Sequence, residues 1–190
     1  MRFERLTPNQ FALIQDGFDT LLLSAYCPLP LDPAVSHLAA VWIGQRLADA
    51  AAGRFQGRTA LWPLGHNAFV RASDPEWLAD LRRGFPYGVR HGVLVTDRTS
   101  MEEVLRLADA DGTGWLIFDW WQWLRRRVPA ARLPEAWAYL NHACPAYAAS
   151  EERQSLGLPD DVMHAMAAEG QRLFAAMEEA LCQQILALWA

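Results

Sequence analysis

The stretch "GVRHGVLVTDRTSMEEVLRLADADGTGWLIFDWW", Gly88–Trp121, decides the fold class. Its first part, "GVRHGVLVTD" (Gly88–Asp97), is apolar and β-branched and is bounded by Gly and Asp, which predicts a strand. "SMEEVLRLADADG" follows, with Ser100 and Glu103 spaced as a capping box, and predicts a helix. "GWLIFDW" is apolar again and predicts another strand. Upstream, "ALWPL" and "NAFVRA" read as short strands. "SDPEWLADLRRG" (Ser73–Gly84) reads as a compact helix opened by Pro75 and closed by Gly84. Strands alternating with helices imply an α/β fold, with a small central sheet of about three to five strands and flanking helices.

Helices are expected at both ends of the chain. Thr7 and Gln10 form a capping box around Pro8, so a helix should run from about Pro8 to Ala25, until the prolines of "CPLPLDP" stop it. Asp32-Pro33 repeats the start signal for a second helix reaching about Ala52, with Leu38, Val41, Trp42 and Leu47 near helical spacing. "LPEAWAYLNHA" predicts a short helix ended by Cys144-Pro145. Asp160 or Asp161 should cap a long terminal helix reaching about Leu188. Its expected apolar face is Val162, Met166, Leu173, Met177, Leu181, Ile185 and Leu188. The expected organisation is one domain over residues 1–190: a helical part at 1–55, an α/β core at 56–128 and a helical part at 129–190.

Composition narrows the function classes. At 52% hydrophobic and 21% charged, the chain can bury a substantial core. The net charge is -5 and all 17 basic residues are Arg; this acidic balance argues against non-specific nucleic-acid binding. Cys27, Cys144 and Cys182 lie too far apart for a C-x-x-C motif and read as reduced thiols of a cytosolic protein. The N-terminal residues lack a signal-peptide pattern, and no apolar run approaches the ~18 residues of a membrane span. A cytoplasmic protein without membrane contact is therefore expected.

Chemical motifs are sparse. His37, His66, His91, His142 and His164 never occur as H-x-x-x-H or H-E-x-x-H, so no metal site is expected. "DADG" at Asp109–Gly112 suggests a calcium loop, but the position that needs a chelating Glu is Trp120. There is no G-x-S-x-G elbow, and "GTG" at Gly112–Gly114 precedes a strand, whereas a phosphate loop precedes a helix. Asp97 and Asp119 end successive predicted strands, where α/β enzymes place active residues, yet Asp also sits there as a cap. We assign no catalytic residue and expect no cofactor.

The tryptophans are the denser signal. "GWLIFDWWQWLRRRVP" (Gly114–Pro129) holds Trp115, Trp120, Trp121 and Trp123. On a strand, Trp115, Ile117 and Asp119 share one face, with Leu116 and Phe118 on the other. Past Asp119 a helical turn fits better, with Trp120 and Leu124 on one side and Trp121 set apart. The four indoles cannot enter one core layer, so one or two are expected to serve a protein interface, where Trp and Arg are enriched. Arg125–Arg127 would end that helix, where cations favour the dipole. The candidate partner-binding residues are Asp119, Trp120, Trp121, Trp123, Arg125 and Arg126, with Met163 and Met166 as an adaptable apolar groove.

Residues 60–190 also resemble a known family. The order "NAFVRASDPEWLADLRRG", "GVRHGVLVTDRTSMEEVLRLA", "DGTGWLIFDWWQWLRRRVPAARLP" is similar to the effector-loading adaptor (chaperone) domain of bacterial type VI secretion systems. The likeness lies in a short Trp-containing helix, a Gly-led strand, a helix of the "s-x-e-e-l-x-x-L" kind, an Asp-Gly turn and a strand ending in an aromatic-Asp pair. Here that pair is Phe118-Asp119, and "LGLPDDVMHAMAAEGQRLFAAMEEALCQQ" supplies the helical end. Family members carry an Arg shortly before the pair and Pro-Arg after it; this chain has Leu116 before it and Trp120-Trp121 after. The resemblance implies a non-enzymatic adaptor that binds a toxic effector and assists its loading onto the secretion spike. The alternative is an immunity protein that occludes a cognate toxin, for which the acidic balance would suit a basic target.

Overall fold

A computed structural model describes residues 7–25, 35, 38–62, 83, 88–97, 114–127, 133–144 and 157–190. The expected helices at 73–84 and 100–108, the "NAFVRA" strand, the "DADG" turn, Cys27, His37 and His66 lie outside these residues, residue 83 excepted.

Helix α1 (Pro8–Ile14) starts as its sequence predicts: Gln10 N–H donates to Thr7 Oγ1 at 3.3 Å and Thr7 N–H donates to Gln10 Oε1 at 2.9 Å. It then departs from expectation. The helix does not continue to Ala25; a 3-10 turn at Gln15–Gly17 ends it, and strand β1 (Thr20–Ser24) follows. The reason is burial on both sides. A parallel strand in mid-sheet reads as a continuous apolar run rather than an alternating one, and Leu21, Leu22 and Leu23 are all buried. The N-terminal part is therefore not wholly helical.

Helix α2 (Leu38–Arg54) and strands β2 (Thr59–Trp62), β3 (His91–Thr96) and β4 (Gly114–Asp119) complete the α/β layer. The sheet is parallel throughout, in the order β2-β1-β3-β4. Helices α3 (Trp120–Arg127), α4 (Leu133–His142) and α5 (Asp160–Leu188) follow. Among the described residues no helix is long and apolar enough to cross a membrane.

Side chains alternate across the sheet as strand geometry requires. Leu22, Leu61, Val93, Val95 and Phe118 face α2, α4 and α5 and build the larger core with Trp120, Trp137 and Phe174. Leu21, Leu23, Ala60 and Leu94 face the other way, where Phe18, Val89, Phe11 and Ile14 cover them. Trp115 and Ile117 join this second face while Leu116 joins the first, as the strand reading of "GWLIFDW" requires.

Small residues set the helix spacing. On α2 a Cβ added at Gly44 would lie 2.9 Å from Ser24 Oγ, so this helix sits directly on the end of β1. On α5 a Cβ at Gly170 would fall inside the Glu135 carbonyl oxygen and 2.7 Å from Tyr139 Cβ, so α4 and α5 touch through their backbones. Glu135 meets Gly170, Ala138 meets Met163 and Ala167, and His142 meets His164, so the two helices run antiparallel.

The start and face of α5 also differ from expectation. Its N-cap is Pro159, with no side-chain cap from Asp160 or Asp161, and its first half buries Met163, Ala167 and Gly170. Val162, expected inside, is exposed, and Met166 is only partly buried. From Met177 onward Met177, Leu181 and Ile185 are buried as expected.

Candidate functional site: the tryptophan–arginine helix

Strand β4 passes into helix α3 without a loop. Asp119 Oδ1 accepts the Gln122 N–H at 2.8 Å, which satisfies one of the helix's orphan donors. Asp119 therefore caps α3, and this bond accounts for its place at the strand end.

The cap fixes the phase of the helix. Trp120 and Leu124, one turn apart, enter the larger core and are almost wholly buried. Trp121 and Trp123 pack on the rim of that core and are partly buried. Trp121 meets Trp120 edge to face, with ring centroids 5.9 Å apart. Arg125, Arg126 and Arg127 are exposed in the last turn, where they complement the helix dipole. The Arg127 guanidinium carbon lies 4.9 Å from the Trp123 ring centre, a cation–π distance. Trp123 Nε1 is buried and has no hydrogen-bond partner among the described residues.

The candidate residues thus divide. Trp121 and Arg125 flank the buried Trp120–Leu124 stripe of α3 on one side, Trp123 and Arg126 on the other, and Asp119 caps the helix. Trp120 is an interior residue. Met163 is buried in a separate cluster with Ala138 and Ala167, and Met166 packs partly against it. The methionines therefore belong to the α4–α5 contact, apart from the cluster that holds the three tryptophans of α3.

Asp97 and Asp119 lie at the ends of neighbouring strands. β3 and β4 are neighbours with Thr96 opposite Asp119, and Asp97 is fully buried. In open parallel sheets ligands lie where the strand order reverses, here between β1 and β3. The segments that follow these two strands, beyond Ala25 and Asp97, lie outside the described residues; at the base of that point Ala25 N–H donates to the Val95 carbonyl at 3.0 Å, and Gly44 of α2 rests against Ser24.

The opposite end of the sheet carries a polar network that the sequence did not reveal. Arg58 Nε donates to Asp19 Oδ2 at 2.9 Å and its Nη2 pairs with the same oxygen at 2.7 Å. The guanidinium also stacks 4.0 Å above the Trp189 ring, and Trp189 Nε1 donates to Thr20 Oγ1 at 2.8 Å. Burial raises the Asp19 pKa, but hydrogen bonds from Arg58 and Thr20 and the Arg58 charge outweigh it and hold the carboxyl below its ordinary value. Asp16, Phe18, Arg58 and Arg90 are among the residues lining a cavity of about 450 Å³ beside this network. Gly57 and Gly88, both with positive φ, stand at the turns just before Arg58 and Val89.

Compared with models of known families, with curated proteins and with solved structures, the chain matches none.

Proposed function

We propose that this chain is a non-enzymatic adaptor that binds a bacterial toxic effector in the cytoplasm and assists its loading onto the type VI secretion spike. One observation carries the binding part of this reading: α3 holds Trp121 and Trp123 only partly buried beside three exposed arginines, on a helix anchored by Trp120 and Leu124. Large aromatic side chains with few torsions lose little entropy on binding, and Trp and Arg are the residue types most enriched at energetic centres of interfaces. The assignment to secretion rests on the resemblance of residues 60–190.

The immunity reading is favoured by the net charge of -5, which suits a basic toxin. The local charge of α3 runs against it, because three arginines select an acidic or neutral partner surface. Capture of partners from the native bacterium, followed by titration of the captured protein, tests the reading. Trp121→Ala is expected to weaken the complex by about 2 kcal/mol, roughly thirtyfold. Unchanged affinity would remove α3 from the interface. Protection from the toxin in cells lacking the secretion machinery would favour the immunity protein instead.

A further inference from the structure

His142 ends α4 and His164 lies in the second turn of α5, separated by 22 positions in sequence and by no recognisable metal motif. The antiparallel packing of the two helices brings their rings together, with centroids 5.2 Å apart and planes at 47°. Both side chains are exposed to solvent. The spacing has a chemical meaning. Two imidazole nitrogens about 2.05 Å from one tetrahedral ion place their ring centres about 5.2 Å apart.

The tautomer fits as well. His164 Nδ1 lies 2.7 Å from the Asp160 carbonyl oxygen. A carbonyl only accepts, so Nδ1 carries the proton and Nε2 keeps its lone pair; a backbone carbonyl fixing one ring nitrogen is the usual support for a metal-binding histidine. Asp160 and Asp161, exposed in the same first turn, add negative potential. The helices that carry the rings are held in backbone contact by Gly170 and by the Met163–Ala138–Ala167 cluster, so the pair is positioned by rigid elements. Among the described residues no third His, Cys, Asp or Glu completes a cluster, so water would fill the remaining positions.

We propose that His142 and His164 form a two-histidine site for Zn²⁺ or a divalent ion of similar softness, a staple between the end of α4 and the start of α5. The site is independent of the adaptor reading. Zn²⁺ titration of the full-length reduced chain, read by calorimetry and by imidazole NMR signals, tests it. One ion per chain is expected, with a rise in melting temperature on Zn²⁺ addition. His142→Gln and His164→Gln should each weaken binding about tenfold or more and abolish the thermal shift, while Cys144→Ser leaves both intact. Because both rings are exposed, the metal-free variants should melt as the parent does. Absence of saturable binding would overturn the site. So would binding that survives either substitution, or binding lost with Cys144→Ser.

Discussion

The two halves of helix α5 are held by opposite means. Among the described residues the helix up to Gly170 packs on α4, where Ala167 and Gly170 leave room for close approach and Met163 fills the space beside Ala138. From Phe174 onward it covers the sheet with large side chains, Phe174, Met177, Leu181 and Ile185, which displace water from the main core. Close approach gains many weak contacts and fixes geometry; bulk burial supplies most of the hydrophobic free energy. One helix thus performs two tasks, positioning α4 at one end and closing the core at the other.

The largest expected effect breaks the second task. Phe174 is buried, with its ring 5.1 Å from Tyr139, and Phe174→Ala should cost about 3–5 kcal/mol in denaturant unfolding. A loss under 1 kcal/mol would mean that the second half does not hold the core. The next effect breaks the first task. Gly170→Ala gains up to about 1 kcal/mol of helix propensity, but its methyl would overlap the Glu135 carbonyl, and backbone cannot move aside as a side chain can. A net loss of about 1–2 kcal/mol is expected; a gain would show that the helices can part at no cost.

The smallest effect sharpens the contrast within the second half. Glu178 and Glu179 are adjacent but sit differently. Burial drives the Glu178 pKa up against the opposing pull of Arg46, 2.7 Å away. The Arg54 and Gln183 hydrogen bonds draw the exposed Glu179 down. The signs therefore differ. The raised carboxyl of Glu178 favours folding below its unfolded value, and that contribution is lost as pH rises through its folded value. The lowered carboxyl of Glu179 contributes above its unfolded value, and that contribution is lost as pH falls. Glu178→Gln should remove a stability loss that sets in as pH rises above the ordinary glutamate value of about 4.3, whereas Arg54→Ala should leave the unfolding midpoint at pH 7 almost unchanged.

What the sequence disclosed follows the same division. Met177, Leu181 and Ile185 announce themselves by size and spacing, and so the second half of α5 is legible. The first half packs through Ala167 and Gly170, which carry little hydrophobic signal, so its face is misread onto Val162 and Met166. β1 hides for a different reason: with both faces buried, "TLLLS" lacks the alternation that marks a strand. β3 and β4 and the turn into α3 are legible because Gly and Asp bracket them. The roles of Trp120 and Trp121 follow from helical spacing once Asp119 sets its start. The Asp19–Arg58–Trp189 network and the His142–His164 pair are contacts between distant segments, and no local pattern encodes them.

Trp189 lies 169 residues from the threonine that accepts its indole proton. Arg58 and Thr20 therefore stay without that ring until synthesis has passed Trp189. A nascent molecule that stops short of Trp189 would hold its first strand with this edge of the sheet open, so its closure waits on a contact across a very long loop.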